Sequence, residues 1–233
     1  MTTSPLFRIP RTLTPTRQPG TLVLALAAVS ALHAGAASAD LNYNYVQLDY
    51  IIDGEASGGG SSLDYSGFRV ETMVEVAPQF LATVSAATAK IDVPGSEDSS
   101  LNLFSLGGGG YMPLLQGSGP RLDAYGTLTY EEIHFAGLPS SGGYGITAGL
   151  RWQPTPQMEI NPSVGWVDYG SLDTGTGKID LDGFRYGVRG LFHATENLAI
   201  ALDIDFQALD ASTGGSSDDL DLDEIRLGVR WQF

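Results

Sequence analysis

The chain contains no cysteine. That excludes a disulfide framework, a thiolate nucleophile and a cysteine-ligated metal. Basic residues are scarce, with 12 Lys and Arg against 27 Asp and Glu in 233 residues. A formal net charge of −15 excludes a general nucleic-acid binder, which needs a basic face to meet phosphate. There are only three His. No Gly-x-Ser-x-Gly elbow, paired metal histidines or phosphate loop occurs, so no cofactor or metal is expected. Long hydrophobic runs are absent beyond the first forty residues, and mean hydropathy is +0.01. A helical membrane protein is therefore excluded.

What is present begins with an address. Arg8, Arg11 and Arg17 are the only charges before Asp40. The apolar run from Thr21 to Leu32 follows, then Ala37-Ser38-Ala39. A positive start, a short apolar stretch and a small-x-small site predict a secretory signal peptide over 1–39, cut after Ala39. The run is too short and too rich in Ala to make a convincing membrane anchor. Its loss takes the formal net charge from −15 to −18, because three Arg and no acids leave. Residues 40–233 then form a single exported, acidic domain.

From Leu41 onward the period is two. In Glu224–Phe233, Ile225, Leu227, Val229, Trp231 and Phe233 share one face, and Glu224, Arg226, Gly228, Arg230 and Gln232 share the other. Leu198–Phe206, Phe184–Phe192 and Tyr144–Trp152 repeat the scheme. Ten such segments lie at roughly 41–53, 64–77, 79–92, 99–113, 120–136, 142–154, 157–170, 177–193, 196–210 and 219–233. Each reaches the ~9–11 residues that a tilted strand needs to cross a bilayer. Connections at one end are short, as at Ala77-Pro78 and Pro154–Pro156. Those at the other end read as longer, Gly/Ser-rich and acidic, as at Asp53–Leu63 and Ala211–Asp218. Bulk sits on the apolar face, while the polar face carries Gly, Ala, Thr and charge. Aromatics cluster near segment ends: Phe80, Trp152, Phe192, Trp231 and Phe233 at the short-turn end, and Tyr50, Tyr130, Phe135 and Tyr169 at the other. The pattern predicts an all-β, transmembrane, up-and-down antiparallel barrel of ten strands, with eight as the structural alternative. Both termini belong at the short-turn, periplasmic end. A soluble secreted barrel or sandwich is the competing reading.

The chain ends Leu227-Gly-Val-Arg-Trp-Gln-Phe233. Bacterial outer-membrane barrels typically end in an aromatic residue with apolar residues two and four positions before it. That resemblance makes Leu227, Val229, Trp231 and Phe233 an assembly signal. It implies partners in the barrel-assembly machinery, periplasmic chaperones, outer-membrane lipid and lipopolysaccharide, in a Gram-negative outer membrane. More narrowly, the chain resembles the diffusible-signal-factor-regulated barrels of Xanthomonas-like bacteria. The likeness lies in Leu41-Asn-Tyr-Asn-Tyr-Val46, Val76-Ala-Pro-Gln-Phe80, Gly145–Arg151 and Thr195-Glu-Asn-Leu-Ala-Ile200. It implies a fold and a location, and brings no reaction with it.

Alternation places Arg69, Arg151, Arg185, Arg189, Arg226 and Arg230 in the lumen, with Asp49, Glu71, Glu75, Asp123, Glu131, Glu159, Asp203, Asp205 and Glu224. The favoured reading is a plug of Arg forks and carboxylates in a narrow barrel. The alternative is a charged constriction in a small pore. Gly107, Gly109, Gly145, Gly149, Gly187 and Gly228 favour the pore, by leaving room for water. His134 follows Glu131-Glu132 near a strand end, and with a nearby Ser could activate a nucleophile. An interfacial, non-catalytic His is the plainer reading, and His193 reads as structural at a turn. Asp210, Asp218, Asp219, Asp221 and Asp223 read as a solvated mobile loop, with a divalent-ion or surface-lipid bridge as the sharper alternative. The expected role is structural or in cell-surface interaction, without catalysis. A narrow passive pore is the alternative, and a hydrolase using His134 the second.

Overall fold

The computed structural model describes residues 41–233, apart from 94–98, 118, 176 and 214–215. The expected leader, with Ala37 and Ala39, lies outside the described residues. Period-two patterning yields ten strands: β1 (Tyr45–Gly58), β2 (Ser61–Ala77), β3 (Phe80–Ile91), β4 (Ser99–Leu115), β5 (Arg121–Phe135), β6 (Ser141–Thr155), β7 (Met158–Asp173), β8 (Lys178–His193), β9 (Leu198–Thr213) and β10 (Ser216–Gln232). Each pairs antiparallel with its chain neighbours, and β10 pairs with β1, so the sheet closes into a barrel. Closure leaves no edge, which is the condition for backbone to lie in lipid.

The strands are strongly staggered. From Tyr50, partners lead through Phe68, Thr88 and Asn102 to His134 on β5. The other way round they lead through Leu227, Leu202, Gly190, Ile160 and Trp152 to Leu122 on the same strand, twelve residues from His134. With ten strands, such a shear tilts each strand by roughly 40°.

The outer surface of the body is apolar. Leu48, Leu106, Leu128, Ile146, Val164, Ile200 and Val229 are exposed on it. Aromatic rings bound this belt. Phe80, Trp152, Phe192 and Trp231 lie toward the termini, and Tyr50, Phe68, Tyr130, Tyr144, Trp166, Phe184 and Tyr186 toward the far end. Exposed apolar side chains on every wall of a closed barrel require lipid around them. The fold is a transmembrane barrel. No helix among the described residues is long and apolar enough to cross a membrane, and the strands do so instead.

Two expectations are corrected. Tyr169 is buried and points inward, and Phe135 packs against the same inner cluster, so neither joins the outer ring. Trp166 and Tyr130 already occupy the outward phase of their strands, at an odd spacing from Tyr169 and Phe135. Nor are the far-end connections uniformly long. The expected loop at 53–63 contracts to Gly59-Gly60 between β1 and β2, with both φ angles positive as a primed turn requires. The expected loop at 211–218 is mostly β9 and β10.

Beyond the far aromatic ring the alternation continues while its polarity reverses. Leu209, Ala211, Leu220 and Leu222 point inward, and Asp219, Asp221 and Asp223 are exposed outside. β10 has no bulge there, so Leu220 and Leu222 are in register with the rest of the strand. The barrel thus leaves the membrane and becomes a water-soluble one, with apolar groups inside and acids outside. Its inner cluster draws on Ile51, Tyr65, Ile91, Leu101, Ile133, Val167, Leu181 and Leu222, among others.

Candidate functional site: the charged lumen

Inward positions in the membrane zone carry the charge. Six Arg point inward there: Arg69, Arg151, Arg185, Arg189, Arg226 and Arg230. Arg189 on β8 is a hub. Its Nε donates to Asp203 at 2.5 Å, and its two terminal nitrogens donate to Glu71 at 2.9 and 3.1 Å. Arg226 donates to Asp205 at 2.5 Å, to Asp203 at 3.4 Å and to Glu224. Arg69 reaches Glu224 at 3.5 Å. Arg185 pairs with Glu131 at 3.0 Å and donates to Thr147 at 2.8 Å. Arg151 makes a fork with Glu159, at 2.6 and 3.0 Å. Such forks hold charge in a low-dielectric lumen, because each fork satisfies several lone pairs at once.

Arg230 differs, for its Nε donates to Gln47 at 2.8 Å and its guanidinium lies 3.7 Å from the Tyr45 ring centre. Gln47 also donates to Asp49 at 2.7 Å and Asp203 at 3.2 Å. Asp123 accepts from Tyr43, and Glu75 from Tyr111 at 2.9 Å. His193 ends β8 facing inward, 3.4 Å from Glu159.

The glycines do not leave the lumen open. A Cβ on Gly145 would meet Arg185 and Glu131 at 2.8 Å, and one on Gly149 would meet the Tyr125 ring at 2.6 Å. One on Gly187 would meet Asp205 at 2.5 Å, and one on Gly228 would meet Asp49 at 1.9 Å. These glycines are floors over which neighbouring polar side chains lie, and the expectation that they make room for water is corrected. A cavity of about 200 Å³ remains among Arg69, Glu71, Ser85, Thr127, Glu131 and Arg189. That is room for on the order of six water molecules.

Apolar side chains crowd both ends of this chamber. At the far end stands the apolar inner cluster, in which Ile133 and Val167 are wholly buried. At the other end the chain before β1 leaves the wall and enters the mouth. Leu41 and Tyr43 are buried there with Tyr45, Met73 and Leu81. Tyr43 reaches the opposite wall. Its ring stacks on Tyr111 of β4 at 4.2 Å, its hydroxyl donates to Asp123 of β5 at 3.2 Å, and Arg151 of β6 lies over it at 4.3 Å.

Other candidates fall outside the lumen. His134 points outward on β5, opposite Asn102, and its Nδ1 lies 3.4 Å from the exposed Ser140 hydroxyl. Asp210, Asp218, Asp219, Asp221 and Asp223 stand in strands rather than a mobile loop, because the Leu and Ala between them are buried inside. Among the described residues no three His or carboxylate groups converge as a metal site requires. Leu227, Val229 and Trp231 face lipid. Phe233 follows β10, beside Trp231, and its backbone N donates to Asn44 at 3.0 Å.

Sequence reasoning passed over the neutral partners in the lumen. Tyr45 and Gln47 share the phase of Asp49, so alternation alone signals them. Tyr43 keeps the inward phase of Tyr45 and Gln47 ahead of β1, but alternation does not say that it reaches the opposite wall.

No protein-family model matches the chain, and no curated protein does. Solved structures similar to it are outer-membrane barrels. The Escherichia coli outer-membrane protease OmpT is 12% identical, with a TM-score of 0.47 over 86% of this chain and 99% of its own. An outer-membrane channel from Pseudomonas putida F1 is 8% identical, with a TM-score of 0.46 over 86% of this chain and 100% of its own. Neisserial surface protein A is 15% identical, with a TM-score of 0.41 over 85% of this chain and 100% of its own.

Proposed function

We propose that the protein is a closed barrel of the Gram-negative outer membrane with a structural or cell-surface interaction role, and that it neither conducts solutes nor catalyses a reaction. One observation carries this reading: a paired charge network lies between two apolar closures, the inner cluster at one end and Leu41–Tyr43 at the other. An ion entering the chamber would meet paired groups, and beyond them a dry core. The acidic outer wall past the far aromatic ring stands clear of the apolar belt, as a surface presented to the medium. The Leu227–Phe233 strand is the expected contact for barrel-assembly machinery and periplasmic chaperones, and the belt for lipid and lipopolysaccharide. The likeness of Leu41–Val46 and Val76–Phe80 to diffusible-signal-factor-regulated barrels supports the same location.

Planar-bilayer conductance of the refolded mature chain tests this, once heat-dependent gel mobility shows a closed barrel. Silence is expected. Reproducible steps whose ion selectivity changes in Arg189→Gln would overturn the reading in favour of a narrow pore.

A second reading, an interfacial hydrolase, is favoured by the His134–Ser140 contact alone. It requires turnover of a fluorogenic ester that vanishes in both His134→Ala and Ser140→Ala while the barrel stays folded.

A further inference from the structure

We propose that residues 41–43 form a displaceable stopper, hinged at Asn44, and that its release opens the polar chamber toward the end where Leu41 and Phe233 lie while the far end stays shut. The inference rests on the sealed-lumen reading only in taking the far closure as fixed.

The two closures are built differently. The far one consists of side chains projected by the wall strands themselves, such as Ile51, Ile133, Val167 and Leu222. Those residues are held by the ladder and cannot leave without unpairing strands. The near one takes Leu41 and Tyr43 from a chain segment outside the ladder, since β1 begins at Tyr45, and packs them on Tyr45, Met73 and Leu81 of the wall. A segment free of the ladder can move as a local unit at far lower cost than a strand.

Its anchors divide at Asn44. That residue stays with the wall: its carbonyl accepts from Phe233 at 3.0 Å, and its side-chain oxygen accepts from Glu75 N at 2.9 Å. The residues before it cross the opening, with one further tie to the wall, Asn42 Nδ2 donating to the Phe233 carbonyl at 3.4 Å. The Asn42 carbonyl accepts from Arg151 at 2.9 Å, and the Tyr43 hydroxyl donates to Asp123 at 3.2 Å. Neither bond leaves a charge stranded when it breaks. Arg151 keeps both of its bonds to Glu159, and Asp123 and the freed Tyr43 meet incoming water. Behind the stopper lies a preformed polar space of about 200 Å³, not packed side chains. Release therefore wets a chamber already lined with hydrogen-bonding groups, and the apolar surface it exposes is confined to the small mouth cluster of Leu41, Tyr43, Tyr45, Met73 and Leu81.

The lack of native cysteine makes the test clean. Ser85→Cys places one thiol on the chamber wall. Its reaction with a permanently charged methanethiosulfonate is timed in the refolded mature chain. Slow labelling is expected with the native segment, and labelling at least tenfold faster when Leu41→Gly and Tyr43→Gly are added. Tyr43→Phe keeps the ring and its stack but loses the bond to Asp123, and an intermediate rate is expected. It also serves where the glycine pair fails to refold. Fast labelling with the native segment, or rates unchanged by the substitutions, would overturn the stopper. Faster labelling with the bilayer still silent supports it. Faster labelling accompanied by conductance supports the stopper and overturns instead the fixed far closure on which the sealed-barrel function depends.

Discussion

Leu222 and Leu227 lie on the same strand and face opposite media: Leu222 is 3% exposed inside the barrel, and Leu227 is 50% exposed on its lipid-facing wall. One residue type thus does two jobs on β10. At Leu222 it fills a core shared with other strands, and at Leu227 it meets acyl chains that rearrange around any shape. Truncation leaves a cavity only in the first case. Leu227→Ala is expected to cost about 2 kcal/mol, the transfer loss alone, and Leu222→Ala more than that, toward the upper part of about 2–5 kcal/mol, because a cavity is left as well. Urea unfolding in lipid vesicles measures both. Equal costs would mean that the polarity reversal is not as described.

The outer wall past the far ring carries a row of opposed acids. Asp168 is paired with Asp182, Asp182 with Asp210, and Asp210 with Asp219, across four consecutive strands. Glu55 stands likewise between Asp64 and Asp223. Like charges directly opposite one another repel by about 0.2–1 kcal/mol per pair. Asp210→Asn relieves two pairs and is expected to raise the unfolding midpoint. The gain should shrink in high salt, which screens exposed charges. A loss of stability on this substitution would show that Asp210 makes favourable contacts that outweigh the repulsion.

Arg189 joins two carboxylates from different strands, Glu71 on β2 and Asp203 on β9, across the lumen. Arg189→Met leaves both without their main partner and is expected to cost about 3–5 kcal/mol. The same substitution combined with Glu71→Gln and Asp203→Asn should restore most of that loss, because the buried charges go together. Denaturant titration of the single and triple variants decides it, and a triple variant no better than the single one would refute the ion-pair account.

Gly228 is the floor beneath Asp49. A methyl group there would sit 1.9 Å from the Asp49 carboxylate and 2.7 Å from the Leu48 carbonyl. Gly228→Ala is expected to destabilise the barrel by about 1–3 kcal/mol. Adding Asp49→Ser should recover part of this, since the backbone oxygen stays in place. Thermal shifts of gel mobility provide the measurement, and a neutral Gly228→Ala would mean the lumen is looser than its geometry implies.

Much of the architecture was legible because lipid imposes a simple rule. The outward phase of Leu198–Phe206 and Ile225–Trp231 must be apolar where it meets acyl chains, so their partners in sequence must face the lumen. The six Arg and their carboxylates follow from that phase. The far end was only partly legible, because the same rule reverses there. Asp-Leu-Asp-Leu at 219–222 reads as an acidic loop when apolar side chains are assumed to face outward. Once water replaces lipid outside, the same alternation makes a strand with Leu inside.

The sequence by itself determined the antiparallel barrel and the alternation along its strands, because side-chain direction along a strand is a local, two-residue property. Only the tertiary structure decided which Arg meets which carboxylate, that Tyr43 crosses to Asp123 and Arg151, and which side chains crowd the two ends of the lumen. Those depend on the stagger that carries Tyr50 to His134 one way and to Leu122 the other. The stagger sets the radius of the barrel and the side chains that meet across it, and it exists only when β10 closes on β1.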